Sequence, residues 1–239
     1  MRQRFVHITP RLSAALSMAN GYDTVADVGC DHGRLTAALL QQGICRRIIA
    51  SDISEPSLEK AKQLIRTIGL SDRVSFRLGD GLSVLDPYEC DAIFLLGMGG
   101  TLMTRILDAC SVPLAGAKAV ILQPMRAQDD IRSYLHRNRF RVTDDRVVLD
   151  HGRYYQICKA VPGTGVEPIP DGFPSGFYDV GYHAFAMRDA LLPELCREQL
   201  QFHAQMLNTA KGTSGEEVLI RKIDALRQII CAYEKENEK

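Results

Sequence analysis

The chain has 239 residues, enough for one α/β domain with a hydrophobic core and a smaller appendage. Its 29 Lys and Arg residues equal its 29 Asp and Glu residues, which excludes attraction of an anionic partner by net charge and leaves only local asymmetry of charge. No apolar run approaches the roughly 18 residues that span a bilayer, so we expect a cytoplasmic protein without a membrane segment.

The seven cysteines stand singly along the chain, with no Cys-x-x-Cys pair and no spacing typical of a metal site. Isolated cysteines in a reducing cytoplasm favour free, buried or half-buried thiols. We therefore expect no metal ion.

Residues 9–160 alternate helical stretches with short apolar runs. Thr9 followed by Pro10 predicts a helix that begins there, with Thr9 as its N-cap. In chain order, the predicted helices are 10–20, 34–42, 54–68, 100–109 and 127–137, and the predicted strands are 24–29, 47–51, 74–78, 92–96 and 119–122. Strands with little internal polarity, separated by helices, predict an α/β fold: a Rossmann-like doubly wound sheet covered on both faces.

The rest of the chain departs from this alternation. Two β-runs, 140–149 and 154–160, are joined by Asp150-His-Gly-Arg153, which predicts a hairpin at an antiparallel edge of the sheet. Residues 162–176 are dense in Gly and Pro and are interpreted as a linker.

Beyond the linker, mostly apolar residues recur at coiled-coil spacing in two stretches separated by Lys211–Gly215. The positions are Leu192, Leu195, Gln199, Phe202 and Met206, then Leu219, Ile223, Leu226, Ile230 and Tyr233. The pattern predicts a C-terminal α-helical hairpin with a coiled-coil-like seam, which could serve as a lid, a substrate arm or a structural brace. The predicted domains are 1–161 and 177–239.

The loop after the first strand has the order Asp27-x-Gly29-x-Asp31-x-Gly33. Glycines let the backbone turn sharply and approach a ligand, whereas carboxylates would repel the diphosphate that a Gly-x-Gly-x-x-Gly loop binds. Asp27 and Asp31 suit a cation instead, such as the methionine end of S-adenosylmethionine (SAM).

The next two strands end in acids as well. Asp52, followed by Ile53, is placed to accept hydrogen bonds from both ribose hydroxyls, and Asp80-Gly81 is placed to read the amine edge of adenine. Three such features at the carboxyl ends of successive strands predict a SAM site, with NAD or another nucleotide as the alternative.

The fourth strand leads into Gly97-Met98-Gly-Gly100 instead of the Asp/Asn-Pro-Pro-Tyr/Phe of many enzymes that methylate exocyclic amines. We interpret Gly97 and Met98 as cofactor neighbours that offer bare backbone beside the acceptor. Gln123-Pro-Met-Arg126, at the end of the fifth strand, should lie across the same opening.

With these motifs the chain resembles the bacterial tRNA adenine-22 N1-methyltransferases over nearly its whole length. The motifs are Asp-x-Gly-x-Asp-His at 27–32, Leu-Gly-Asp-Gly-Leu at 78–82, Gly-Met-Gly-Gly at 97–100, Leu-Gln-Pro at 122–124 and Tyr-Tyr-Gln-Ile at 154–157. Gly33-Arg34 departs from the alanine and aromatic residue that the family leads us to expect, and Gln123 is a position where the family allows similar residues. These departures bear on substrate contacts rather than on the cofactor.

The resemblance implies transfer of the SAM methyl group to N1 of a tRNA adenine, with S-adenosyl-L-homocysteine as the product. N1 of neutral adenine has an in-plane lone pair, so the main tasks are to extrude the base, align it and tolerate positive charge on the product. Candidate groups are Asp31, His32, the Gly97 carbonyl and Gln123. Asp31 could instead serve only the cofactor, and His32 could simply cap its loop.

A tRNA partner requires local basic surface. The candidates are Arg2, Arg4 and Arg11 near the amino terminus, and Arg126, Arg132, Arg137 and Arg139 after the fifth strand. Interleaved acids leave an ordinary solvated surface as the alternative. Two rival functions are a SAM-dependent enzyme with a small-molecule substrate and a non-catalytic RNA-binding module. We expect the protein to be a monomer.

Overall fold

The computed structural model describes residues 5–19, 21–110, 114, 116–163 and 177–235. The strands are β1 (Thr24–Val28), β2 (Arg47–Asp52), β3 (Val74–Leu78), β4 (Ala92–Met98), β5 (Ala119–Pro124), β6 (Arg141–Asp150) and β7 (Arg153–Val161). The α-helices are α1 (Pro10–Ser17), α2 (Arg34–Gln41), α3 (Glu55–Thr67), α4 (Gly100–Ala109), α5 (Gln128–Arg137), α6 (Phe177–Val180), α7 (Tyr182–Ala186), α8 (Leu192–Ala210) and α9 (Glu216–Lys235).

All seven strands form one sheet in the order β3-β2-β1-β4-β5-β7-β6. β1 to β5 are parallel, whereas β7 runs antiparallel to both β5 and β6. The Asp150–Arg153 pair closes the β6–β7 hairpin. The doubly wound sheet with an antiparallel edge is confirmed.

Helices cover both faces of the sheet because its central strands are apolar on both sides. Along β4, Ile93 and Leu95 face the core beneath α4 and α5, while Phe94 faces the core beneath α1, α2 and α3. This alternation follows from the two-residue period of a strand. Because β1 to β5 are parallel, the loops that follow these strands lie together at the carboxyl edge of the sheet.

The C-terminal helices pack on the outer part of the sheet. Val147 of β6 belongs to an apolar cluster with Val180, Leu192 and Leu226. The helical hairpin of α8 and α9 is confirmed, and its seam is buried near this base. Farther along α8, Phe202 and Met206 are exposed, so the predicted seam does not extend over them. The division into domains stays a prediction, since most of 162–176 lies outside the described residues.

Arg132 corrects the predicted set of phosphate contacts. Its side chain is only 6% exposed and forms a two-pronged ion pair with Asp145 of β6, through Nε (3.0 Å) and Nη2 (2.9 Å). Its Nη1 donates to the carbonyl oxygens of Tyr178 and Asp179 in α6. The guanidinium binds these partners inside the protein and holds α5, β6 and α6 together. The prediction of Arg132 as an RNA contact is therefore wrong.

The seven cysteines are free, as predicted. Burial raises the pKa of the Cys45, Cys90 and Cys196 thiols to about 12, which keeps them protonated. Cys231 is exposed, contrary to the expectation of buried or half-buried thiols. None of the helices in the described ranges combines the length and apolar character needed to cross a membrane. Within the same ranges, no cluster of three or more His, Cys, Asp or Glu residues is arranged to hold a metal ion.

Candidate cofactor and acceptor site

A cleft of about 650 Å³ opens at the carboxyl edge of the parallel strands, a volume suited to a nucleoside-sized ligand. Its walls include the predicted residues Asp27, Gly29, Asp31, His32, Asp52, Ile53, Asp80, Gly81, Gly97, Met98 and Gln123. The strand order puts the four acids on the β3-β2-β1 side, and Gly97 and Gln123 on the β4-β5 side. The cleft thus has an acidic β3-β2-β1 half and a β4-β5 half without carboxylates among its described lining residues.

Gly33 is the predicted cofactor residue that does not line this cleft. It precedes α2 with φ of 70°, and a Cβ at this position would lie 2.9 Å from the Cβ of Ala61 in α3. Only glycine at this position allows α2 to approach α3 so closely. Its effect on a bound ligand is therefore indirect.

Asp27 is the most deeply placed acid of the cleft. It is 4% exposed, and its Oδ2 accepts a hydrogen bond from Thr36 Oγ1 at 2.6 Å. Burial raises the pKa of this carboxyl to about 6, against the lowering effect of the Thr36 hydrogen bonds. Among the described residues Asp27 has no ion-pair partner, so a cationic ligand group would relieve an uncompensated buried charge.

Asp52 organises the glycine loop beside it. Its Oδ2 accepts a hydrogen bond from the Asp31 amide (2.9 Å), and its Oδ1 accepts one from the Ser54 amide (2.8 Å). Asp31 has φ of 47°, a left-handed conformation that this contact helps to hold. Each carboxylate oxygen keeps a further lone pair for a ligand hydroxyl. Ile53 is largely exposed next to it and offers an apolar surface on which a ring can pack.

Two backbone hydrogen bonds join the loop after β4 to the loop after β5. The Met125 amide donates to Met98 O and the Gly100 amide donates to Arg126 O, both at 2.8 Å. A Cβ at Gly100 would collide with the carbonyl oxygen of Ala127, so only glycine allows this contact. Gly97 has φ of 76° and open space where a Cβ would project, which leaves its backbone accessible from the cleft.

Arg11, predicted as a tRNA backbone contact, lies instead on the wall of the β4-β5 half. Its Nη1 donates to Gln123 Oε1 at 3.1 Å, and its guanidinium carbon lies 4.8 Å from the centroid of the Tyr155 ring. Gln123 itself is 1% exposed and donates through Nε2 to Pro124 O at 3.0 Å. The two residues were predicted for different roles, and the structure brings them into one cluster.

The sequence interpretation missed the other contributions of the amino-terminal segment. His7, Thr9 and Leu12 line the cleft beside Arg11. The sequence did contain a signal for these contacts, namely the helix predicted directly before β1. A helix that leads into the first strand of such a sheet packs next to the neighbouring elements of that sheet. Arg34, noted only as a departure from the family, also lines the cleft.

His32 lies at the rim of the cleft. Its ring Nε2 is 3.2 Å from Lys60 Nζ and 3.7 Å from Asp31 Oδ1. These contacts leave the ring half exposed and fit a loop residue as well as a catalytic one.

The remaining predicted RNA contacts fall into two groups. Arg126, Arg137 and Arg139 are exposed and form no ion pair within the described part of the chain. Arg2 and Arg4 lie outside the described residues. The three exposed side chains are available for phosphate groups.

Comparison with known proteins gives matches for the whole arrangement. A family model described as "Methyltransferase domain" matches residues 8–158. The tRNA (adenine(22)-N(1))-methyltransferase of Bacillus subtilis is 31% identical over 156 residues, which cover 65% of this chain and 66% of that protein. The match thus spans just under two thirds of this curated relative.

Solved structures share the fold. The Bacillus subtilis M1A22 tRNA methyltransferase TrmK superposes with a TM-score of 0.80 at 24% identity, covering 94% of this chain and 99% of that one. TrmK of M. capricolum, solved with S-adenosyl-homocysteine, superposes with a TM-score of 0.80 at 17% identity, covering 92% and 96%. At these identities the likeness establishes the fold, including the C-terminal helices.

Proposed function

Since the chain belongs to the methyltransferase domain family, we propose that it is a SAM-dependent methyltransferase that modifies N1 of an adenine in tRNA. The observation that carries the proposal is the acidic half of the cleft, where Asp27, Asp31, Asp52 and Asp80 converge from three adjacent strands. A row of carboxylates suits the ammonium and sulfonium groups of SAM and disfavours a dinucleotide diphosphate.

In this proposal each acid has its own part of the cofactor. Asp27 and Asp31 face the cationic methionine end, Asp52 accepts hydrogen bonds from the ribose hydroxyls, and Asp80 accepts one from the adenine amine. When bound, SAM supplies the methyl group. Asp27 gains most from such a ligand, because its buried carboxylate has no cationic partner of its own in the described chain.

The β4-β5 half of the cleft receives the acceptor. N1 of a neutral adenine carries an in-plane lone pair, so the enzyme needs no general base before methylation. Its work is to hold the extruded base in line and to exclude water. The Gly97 carbonyl supplies a partial negative charge beside the ring, which favours the cationic product. Asp31 and His32 remain candidates for the same role from the rim.

A tRNA substrate is supported by the name of the Bacillus subtilis relative and by the exposed Arg126, Arg137 and Arg139. Because tRNA is a cytoplasmic molecule, we place the reaction in the cytoplasm.

The test is incubation of the protein with labelled SAM and unmodified tRNA transcripts, followed by nucleoside analysis. We expect label in 1-methyladenosine, and its loss when adenine 22 of the transcript is replaced by another base. Label in N6-methyladenosine or in a methylated guanosine would refute the acceptor assignment. Label in a small molecule of a cell extract, with none in tRNA, would favour the rival small-molecule enzyme.

A further inference from the structure

We propose that Arg11 and Gln123 together read the N6/N7 edge of the target adenine, so that N1 is left facing the methyl group. The proposal deepens the proposed function and rests on it. It concerns how the β4-β5 half of the cleft selects adenine and orients the base.

The two side chains present a donor next to an acceptor on the same wall. Arg11 Nη1 and Gln123 Oε1 are 3.1 Å apart, and both residues line the cleft. A guanidinium has five N–H groups and a carboxamide oxygen has two lone pairs, so the bond between them leaves both groups able to bind a ligand.

The orientation of the Gln123 amide is determined by its surroundings. Its Nε2 donates to the carbonyl oxygen of Pro124 at 3.0 Å and contacts Met125 Sδ. If the amide were reversed, Nε2 would face the Arg11 guanidinium, and Oε1 would face Pro124 O. Both contacts would be repulsive, so the wall presents oxygen beside Arg11 and not nitrogen.

Arg11 is likewise held in place. Its guanidinium carbon lies 4.8 Å from the Tyr155 ring centroid, and α1 fixes its backbone through the Thr9 cap. No carboxylate pairs with Arg11 in the described part of the chain. A half-buried cation without an acid partner, in a site for a nucleobase, is available for an acceptor atom of the ligand.

Adenine matches this wall on one edge. Its N7 accepts and its N6 amine donates, the pattern that pairs with a donor beside an acceptor. Guanine offers two acceptors at the same edge, N7 and O6, so its O6 would face the Gln123 oxygen. Arginine alone would favour guanine, and Gln123 is the residue that reverses this preference. N7 is remote from N1, and the N6 hydrogen on the N7 side points away from the N1 lone pair, so reading this edge keeps N1 free.

The proposal is tested with tRNA assembled from synthetic fragments that carries a single altered base at the methylated position. 7-Deazaadenine lacks the N7 acceptor and purine lacks the N6 amine, while both keep N1. We expect each to lower kcat/KM of the unaltered protein roughly 10- to 100-fold, the usual discrimination of such a contact.

Variants identify the residue behind each loss. Arg11→Met should lower kcat/KM for adenine and remove the penalty for 7-deazaadenine. Gln123→Met should reduce the penalty for purine to the part that comes from the lower basicity of purine N1. Arg11→Lys keeps a donor and should retain part of the N7 effect. Arg66→Met, at an exposed position on α3, is the matched control and should keep both penalties. SAM affinity should be unchanged in Arg11→Met.

Equal kcat/KM for adenine, 7-deazaadenine and purine in the unaltered protein would overturn the proposal and leave the proposed function intact. Penalties that persist undiminished in well-folded Arg11→Met and Gln123→Met would overturn it as well. Failure of the proposed function has a different signature: the unaltered protein would transfer no methyl group to N1 of adenine in the ordinary transcript.

Discussion

At the scale of single residues, Asp27 is the acid of the cleft whose carboxyl pKa is raised by burial. Its carboxyl is buried, its pKa is about 6, and its one hydrogen-bond donor is Thr36 among the described residues. A bound ammonium group would favour the ionised form and lower that pKa. By linkage, a ligand that lowers the pKa binds more tightly as pH rises through the value of the free protein.

We therefore predict that SAM affinity increases about tenfold between pH 5 and pH 7, with an inflection near pH 6. Below the inflection, Asp27 must lose a proton before it can pair with the ligand, so binding becomes weaker. Titration calorimetry in buffers of different ionisation enthalpy would measure both the affinity and the protons released.

Two variants make this prediction specific. Asp27→Asn should bind SAM weakly and without the inflection. Thr36→Val removes the hydrogen bond that favours the carboxylate, so it should move the inflection to higher pH. An inflection that remains near pH 6 in Asp27→Asn would assign it to another group and refute the prediction.

Most of the site could be predicted from the sequence because the acids directly follow apolar strands, and parallel strands end at one edge. The rest of the site depends on contacts between residues that are far apart in the sequence. Gln123 and Arg11 are 112 positions apart, and no local pattern indicates that they touch. Arg132 has the same local character as the exposed Arg137, and only the return of β6 and α6 past α5 separates the buried arginine from the exposed one.

At the scale of secondary-structure elements, the predicted strands and helices of the sheet are confirmed. The central strands have a strong apolar pattern, whereas β3 alternates apolar residues with Ser75 and Arg77 and forms an edge of the sheet. Some strands extend beyond their predicted ends, because the residues after them add hydrogen bonds to the neighbouring strand. β4 continues past the predicted end at Leu96 to Met98, and β5 continues to Pro124, through a register shift between Leu96 and Met98. On α8, helical spacing extends to Met206, but the described residues bury only the portion near the sheet.

The Arg132–Asp145 pair is the main polar tie between α5, β6 and α6. We predict that Arg132→Met lowers the free energy of unfolding by about 3 to 5 kcal/mol, because it leaves the Asp145 carboxylate buried without its partner. Urea denaturation followed by circular dichroism would measure the change.

The double variant Arg132→Met/Asp145→Leu should recover much of that loss, since no isolated charge remains. Arg227→Gln, which disrupts an exposed pair with Asp224 on α9, should change the stability by less than about 1 kcal/mol. A loss in the double variant as large as in Arg132→Met would show that the buried charge is not the cause.

At the scale of the whole molecule, a protein of zero net charge must hold an anionic substrate through its distribution of charge. The arginines of the helical hairpin already face acids. Arg197 pairs with Glu194 and Glu234, Arg221 with Glu217, and Arg227 with Asp224. The exposed Arg126, Arg137 and Arg139 after β5 have no such partners within the described chain.

This difference predicts which surface meets the tRNA backbone. Each phosphate contact contributes roughly 0.7 to 0.9 to the slope of log affinity against log salt concentration. The triple variant Arg126→Gln/Arg137→Gln/Arg139→Gln should therefore weaken tRNA binding and reduce the slope by about 2 to 3. The matched triple variant Arg197→Gln/Arg221→Gln/Arg227→Gln removes the same charge from the hairpin and should leave the slope nearly unchanged, because its acids already neutralise those arginines. Filter binding at several salt concentrations would give both slopes.

A larger reduction in the hairpin variant would assign the RNA surface to α8 and α9, and would make the hairpin a substrate arm rather than a brace.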